Sequence, residues 1–118
     1  MAAKDELGRR GEELAADWYR ERGYLVLDTN WRCTTGELDL VVRHGRTTVF
    51  VEVKTRTSVA YGHPFEAITP VKTDRLRRLA AEWCHARGPV PGAVRIDAVA
   101  VIDAWSAVPS IEQLEGIA

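Results

Sequence analysis

Two alternating segments separated by a short polar turn constrain the fold of this 118-residue chain more than any other feature. "GELDLVV" and "TTVFVEVKT" both show the period of two that is typical of β-strands. "RHGR", residues 43–46, lies between them and has the glycine and polar side chains of a turn. The pattern predicts an antiparallel hairpin, in which residues on facing strands are cross-strand neighbours about 5 Å apart.

Helices are predicted on both sides of this hairpin. Residues 5–22 have apolar side chains at helical spacing and stop at Gly23, and a second helix begins with Thr69 as N-cap and Pro70 and stops at Gly88. "YLVLDTNW" and "AVRIDAVAVI" predict further strands, whereas "SIEQLEGIA" fits a short helix or an edge strand. The order α-β-β-β-α-β predicts an α/β fold, a mixed sheet flanked by helices.

Two finer expectations concern side-chain placement. In "RIDAVAV", Arg95 and Asp97 share one face of a strand, which predicts an internal ion pair at the sheet edge, with a role near the site as the second interpretation. The side of the second helix expected to face the core consists of Val71, Leu76, Leu79, Ala80 and Trp83.

Composition indicates a single globular domain over residues 1–118, with 46% hydrophobic and 28% charged residues. No apolar run approaches the roughly 20 residues that cross a bilayer, and "MAAKDELGRR" lacks the apolar centre of a signal peptide. We therefore expect a cytoplasmic protein with no membrane partner. The net charge of −1 argues against nonspecific coating of nucleic acid but allows a local basic surface such as "KTDRLRRLA".

Charged side chains inside the hairpin are the feature that needs a chemical explanation. Glu52 and Lys54 lie two positions apart in an apolar strand and share a face, and the hairpin brings Asp39 near Glu52. Two carboxylates about 4 Å apart repel by roughly 4 kcal/mol at an effective dielectric of 20, so a positive group is required. Lys54 is one candidate, and a divalent cation is the better one because Mg²⁺ commonly takes one or two carboxylates. Spacing alone leaves open a solvated strand face with a surface ion pair, worth at most about 1 kcal/mol.

The order of these acidic and basic residues resembles a known group of enzymes. An aspartate followed about a dozen residues later by Glu-x-Lys is similar to the PD-(D/E)xK nuclease superfamily, and Gly8 and Glu12 in "GRRGEELA" resemble the G-x-x-x-E of Holliday junction resolvases. From Gly8 to about Val101 the chain resembles the YraN family of small, endonuclease-like bacterial proteins. Glu37-Leu38 replaces the proline that usually precedes the aspartate. The resemblance implies a restriction-endonuclease-like fold.

The resemblance also implies a catalytic set of Glu12, Asp39, Glu52 and Lys54. Asp39 and Glu52, with the backbone carbonyl of Val53, would hold Mg²⁺ or Mn²⁺, and Glu12 would reach the ion through water or help to hold a second ion. Lys54 would orient or deprotonate the attacking water, or neutralise charge that builds on the phosphate.

The implied function is a divalent-metal-dependent nuclease that hydrolyses DNA, with branched or structured DNA as substrate and a homodimer as one assembly. We expect Arg56, Lys72 and Arg75 to contact nucleic acid, because affinity rests on phosphate charge, although a solvated helix face explains Lys72 equally well. Trp31 is the tryptophan to consider for base stacking. The alternative function is a non-catalytic nucleic-acid-binding or complex-assembly module that retains the nuclease fold.

Overall fold

A computed structural model describes residues 5–118. Residues 1–4 lie outside the described residues, and they are part of the N-terminal stretch that was expected to lack a signal peptide. The predicted α/β fold, a mixed sheet flanked by helices, is confirmed, with a fifth strand added to the predicted order. No helix among the described residues is long and apolar enough to cross a membrane. The elements are α1 (Glu6–Glu21), β1 (Leu25–Cys33), β2 (Gly36–His44), β3 (Thr47–Arg56), a 3-10 helix (Pro64–Ala67), α2 (Pro70–Arg87), β4 (Ala93–Ile102) and β5 (Ser110–Leu114).

The five strands form one sheet in the order β1-β2-β3-β4-β5. The predicted hairpin is β2 and β3, joined at residues 45 and 46, where Gly45 adopts a φ of 58°. β3 and β4 are parallel, and α2 supplies the crossover that a parallel pair requires. "SIEQL" forms the edge strand β5, antiparallel to β4, which decides between the two interpretations of the tail.

The helices α1 and α2 cover opposite faces of the sheet. Successive side chains of β3 point to these two faces in turn, so neighbouring residues of the strand pack against different helices. Val49 and Val51 pack in the cluster with α1, whereas Phe50 packs in the cluster with α2. Both faces of β3 are therefore buried over most of its length, and the strand becomes half-buried where Glu52 and Lys54 begin.

The caps of α2 are confirmed, but one expected core residue is not. Thr69 Oγ1 accepts a hydrogen bond from the Lys72 amide at 3.2 Å, and Gly88 follows the last helical residue. Val71 was expected in the core and is 76% exposed, while Thr73 is buried. The buried stripe of α2 runs at spacings of three and four, and Val71 lies five positions before Leu76, which takes it off that stripe.

The predicted ion pair between Arg95 and Asp97 is confirmed, but its expected place at the sheet edge is wrong, and the pair belongs to a larger buried network. Arg95 Nε donates to Asp97 Oδ1 at 2.9 Å, and Asp97 is completely buried. Asp97 also accepts hydrogen bonds from the hydroxyl of Tyr19 at 2.7 Å, the side chain of Gln113 at 3.0 Å and the amide of Gly116 at 3.0 Å. One carboxylate thus ties α1, β4, β5 and the C-terminal segment together. β4 lies inside the sheet, next to the edge strand.

Burial and the negative charge of Asp97 raise the pKa of Tyr19 above its ordinary value. For Arg95, burial alone would lower the pKa, but hydrogen bonds to Asp97 and Tyr24 raise it above its ordinary value. Folding therefore stabilises the protonated form of both residues.

We predict that the free energy of unfolding falls as the pH rises above about 10, because an unfolded tyrosine ionises there while Tyr19 in the folded chain retains its proton. Tyr19→Phe should lower stability at neutral pH by about 1.5–3 kcal/mol, through loss of one donor to the charged carboxylate of Asp97, and should weaken this decline. Urea titrations at several pH values measure both effects. Tyr61→Phe, at a wholly exposed tyrosine, is the control, and a decline unchanged by Tyr19→Phe would contradict the prediction.

Candidate functional site

A cleft of about 490 Å³ opens where the start of α1, the start of β2, the end of β3 and the middle of α2 come together. The predicted catalytic residues, Glu12, Asp39, Glu52 and Lys54, come from three separate stretches of sequence and all line it. The lining residues are Asp5, Leu7, Gly8, Glu12, Gly36, Glu37, Asp39, Glu52, Val53, Lys54, Thr55, Arg56, Arg75, Leu76 and Leu79.

The cleft exists because β2 and β3 stop pairing at its base. Their ladder ends at Leu40 and Val51, and the next positions along it are Asp39 and Glu52. Instead of another ladder bond, the amide of Val53 donates to the carboxylate of Asp39 at 2.9 Å. Asp39 is 6% exposed, so this carboxylate satisfies a backbone donor in an almost buried position.

The alternation of faces along β2 also breaks at Asp39. Leu38 packs in the cluster beneath α2, whereas Leu40 packs in the cluster beneath α1. A regular strand would place these two leucines on the same face. The break lets the carboxylate of Asp39 reach across to β3, where a regular continuation of the ladder would have placed a backbone group.

Glu52 and Lys54 extend from the face of β3 that α2 covers. Phe50 marks this face, since its ring lies edge-on against Trp83 of α2 with a centroid separation of 5.5 Å. Beyond Phe50 the helix no longer seals the sheet, and Glu52 and Lys54 are only half-buried. Both line the cleft with Asp39, as the predicted shared site requires.

Glu12 reaches the cleft from α1, and Gly11 makes this approach possible. A Cβ atom at Gly11 would overlap Thr55 Oγ1 and would lie 2.9 Å from Thr55 Cβ, so α1 rests directly on β3 at this point. Glu12, the next residue, is 7% exposed and lines the cleft. The glycine therefore sets the depth at which this carboxylate sits.

The cleft is rich in acidic groups. Five carboxylates (Asp5, Glu12, Glu37, Asp39 and Glu52) line it, against three basic side chains (Lys54, Arg56 and Arg75), which gives a formal charge of −2. Glu37 is paired with Arg32 of β1, whose Nε donates to Glu37 Oε2 at 2.7 Å. An anionic substrate entering this cleft would meet net repulsion without an added cation.

A metal ion in this cleft would need more ligands than protein side chains alone. Within residues 5–118, no three His, Cys, Asp or Glu side chains are gathered closely enough to hold a metal ion by themselves. Mg²⁺ usually keeps several waters and takes one or two protein carboxylates together with phosphate oxygens. Asp39 and Glu52, with the carbonyl of Val53, are oxygen donors of the kind that this ion prefers.

The three residues predicted to contact nucleic acid differ in position. Arg56 and Arg75 line the cleft. Lys72 lies one turn before Arg75 on α2, is half-buried and is not among the lining residues, so its role in binding stays a prediction.

Sequence reasoning missed some residues around the cleft. Asp5 caps α1 by accepting a hydrogen bond from the Gly8 amide at 2.7 Å, a role that its position before the helix could have revealed. The partner of Glu37 had no signal in the sequence, because the contact with Arg32 depends on the register of β1 and β2. Trp31, considered for base stacking, is half-buried against the cluster beneath α2.

The sequence profile of the uncharacterised protein family UPF0102 matches residues 11–101. The chain belongs to this family. Membership in UPF0102 confirms the expected YraN-like kinship, and the matched range contains the cleft residues Glu12, Asp39, Glu52 and Lys54.

Relatives in UPF0102 extend over nearly the whole chain. The UPF0102 protein of Leifsonia xyli subsp. xyli is 60% identical over 117 residues, covering 99% of both chains. Those of Arthrobacter sp. (strain FB24) and Clavibacter michiganensis subsp. michiganensis are 50% and 52% identical over 99% and 95% of both chains. The family description states no activity, so the chemistry must be argued from the cleft.

Asp39→Ala should destabilise the fold by about 1–3 kcal/mol, because it leaves the Val53 amide without this acceptor in a nearly buried position. Asp39→Asn keeps an acceptor oxygen for the Val53 amide and relieves repulsion among the cleft carboxylates. It should therefore lower the free energy of unfolding much less than Asp39→Ala does. Chemical denaturation of both variants measures the difference. Equal stability of the two would show that the hydrogen bond does not support the strand ends.

Gly11→Ala should lower the free energy of unfolding by about 1–3 kcal/mol, the usual cost of overpacking, although alanine favours a helix by up to about 1 kcal/mol over glycine. Removing the overlapping atoms in Gly11→Ala/Thr55→Ala should recover much of this loss. Denaturation of both single variants and the double variant gives the coupling energy. A stabilising Gly11→Ala would contradict the close approach of α1 to β3.

Proposed function

We propose that this protein is a divalent-metal-dependent nuclease of the PD-(D/E)xK superfamily that hydrolyses DNA phosphodiester bonds in the cleft. The observation that carries the proposal is convergence: Glu12, Asp39, Glu52 and Lys54 come from α1, β2 and β3 and line one cleft. A surface ion pair between Glu52 and Lys54 would not require Asp39 and Glu12 to be almost buried beside them. We expect branched or otherwise structured DNA as the substrate.

The charge of the cleft supports the need for a cation. DNA phosphates are negative, and the lining residues carry a formal charge of −2, so DNA alone is disfavoured there. Asp39 and Glu52, with the carbonyl of Val53, would hold Mg²⁺ or Mn²⁺, and Glu12 would contribute through water. The ion, when bound, supplies positive charge to the scissile phosphate and lowers the pKa of a water molecule.

The residues of the chain have separate tasks in this proposal. Lys54 orients the attacking water or neutralises charge on the phosphate as the oxygen of the leaving group departs. Arg56 and Arg75, at the margins of the same cleft, bind neighbouring phosphates and hold the DNA backbone in place. The hydrogen bond from the Val53 amide fixes the Asp39 carboxylate, so this ligand is oriented before the substrate arrives.

Lys54→Ala should abolish cleavage of DNA with Mn²⁺ while leaving metal binding nearly unchanged, because an ammonium group is not a metal ligand. Asp39→Asn should weaken metal binding first and cleavage as a consequence, so excess Mn²⁺ should partly rescue Asp39→Asn but not Lys54→Ala. Isothermal titration measures metal binding, and a panel of linear, flapped, forked and four-way DNAs measures cleavage.

Lys72→Ala is the matched control, because it removes the same charge from a residue that does not line the cleft. It should cleave at the wild-type rate with saturating DNA. Cleavage by Lys54→Ala at the wild-type rate would overturn the assignment of Lys54. Absence of Mg²⁺ and Mn²⁺ binding in the millimolar range, with and without DNA, would overturn hydrolysis and leave the non-catalytic module as the better explanation.

A further inference from the structure

A second groove, with an exposed tryptophan in its wall, lies on the other side of the first turns of α1. It has a volume of about 510 Å³ and is lined by Glu6, Arg9, Arg10, Glu13, Ala104 and Trp105. Trp105 is 62% exposed, which is unusual for a large aromatic side chain. It follows β4 in the loop that leads to β5 and lies outside residues 11–101, the range matched by the family.

The backbone around Trp105 holds this side chain outward. Its neighbour Ala104 is 1% exposed and packs in the cluster with α1. The Asp103 amide donates to the carbonyl of Arg56 at 2.9 Å, and the Ser106 amide donates to the carbonyl of Asp103 at 3.0 Å. Asp103 itself adopts a positive φ of 57°. A buried anchor and two backbone hydrogen bonds thus fix a tight turn, so exposure of Trp105 is a property of the fold.

The groove and the cleft are neighbours. β3 and β4 are parallel, with Arg56 paired to Ile102, so the turn that carries Trp105 leaves the same end of the sheet as Lys54 and Arg56. The first turns of α1 separate the two cavities, since Gly8 and Glu12 line the cleft while other residues of these turns line the groove. The two cavities therefore lie on either side of the same helical turns, at one end of the sheet.

We propose that this groove binds an unpaired nucleotide next to the scissile phosphate, with its base stacked on Trp105 and its phosphate close to Arg9 and Arg10. The inference rests on the proposed nuclease function and narrows its substrate to DNA with a single-stranded branch. An aromatic face beside guanidinium groups is the combination that binds single-stranded nucleic acid. Bases inside a duplex are already stacked on both faces, which leaves no face for Trp105.

The charge of the groove indicates how the energy of binding is divided. Glu6 and Glu13 line the groove with Arg9 and Arg10. A guanidinium nitrogen of Arg10, Nη1, lies 3.5 Å from Oε2 of Glu13. The two acids offset the two arginines, so stacking on Trp105 supplies most of the affinity. The contribution of Trp105 should therefore depend little on salt, unlike that of the phosphate contacts in the cleft.

Fluorescence anisotropy with labelled DNA tests the proposal. The protein carries Lys54→Ala so that DNA stays intact, Mg²⁺ is present, and the two probes are a blunt duplex and the same duplex with an oligothymidine flap. Trp105→Ala should weaken flap binding by about 5- to 150-fold, the equivalent of the roughly 1–3 kcal/mol that stacking contributes per base. Affinity for the blunt duplex should stay unchanged, and Trp105→Phe should retain most of the flap affinity.

Tyr61→Ala is the matched control. Tyr61 is wholly exposed on the loop that leaves β3 at the same end of the sheet, and it is not among the residues lining the groove. Its removal should leave flap binding unchanged. The proposal would be overturned if Trp105→Ala left flap affinity unchanged, or if it weakened binding of the flap and of the blunt duplex equally. It would also be overturned if Tyr61→Ala weakened flap binding as much as Trp105→Ala does, or if Trp105→Ala changed the oligomeric state and not the flap affinity.

The two proposals fail separately. If flap binding depends on Trp105 but the wild-type protein cleaves no DNA, nucleotide binding in the groove is supported and the proposed hydrolysis is overturned. Cleavage that requires Lys54, with flap binding indifferent to Trp105, supports hydrolysis and overturns the groove.

Discussion

The hydrogen bond between the Val53 amide and the Asp39 carboxylate is the interaction on which the cleft depends. A hairpin that continued its ladder would have closed this space with paired backbone groups. Here the strands separate after Leu40 and Val51, and a side chain takes over the donor that the separation would otherwise leave unsatisfied. The carboxylate that permits the opening also lines it, so one residue serves the fold and the proposed chemistry.

Buried acids in this protein fall into two classes with different surroundings. Asp97 receives five donor groups, from Tyr19, Arg95, Gln113 and Gly116, and is completely buried. Asp39, also nearly buried, faces a cleft that it shares with four other carboxylates. The first arrangement satisfies a charge within the fold, whereas the second concentrates negative charge where an external cation can reduce the repulsion.

Local patterns were sufficient to predict much of this fold. Alternation and a glycine turn gave the hairpin, and Thr69 and Gly88 gave the ends of α2, because these signals act over a few residues. Asp39, Glu52 and Lys54 were found because their spacing becomes proximity once the hairpin forms, whereas Glu12 on α1 was found only through the resemblance to Holliday junction resolvases. Residues whose surroundings depend on distant elements were not predictable, as the exposure of Trp105 depends on how Ala104 anchors in the core. The error at Val71 was of another kind, because its spacing from Leu76 already takes it off the buried stripe of α2.

The parallel pairing of β3 and β4 also determines how this chain can acquire its fold. Thr47 pairs with Ala93, so the central pair of the sheet forms only after a long loop containing α2 has closed. The Tyr19 hydroxyl and Asp97 are 78 positions apart and can meet only after the same closure. Local elements such as the β2–β3 hairpin can form early, but the rate of folding should be limited by these distant contacts. Until then the β4-facing edge of β3 is exposed, and during synthesis this edge has no partner until the ribosome has made α2 and then β4.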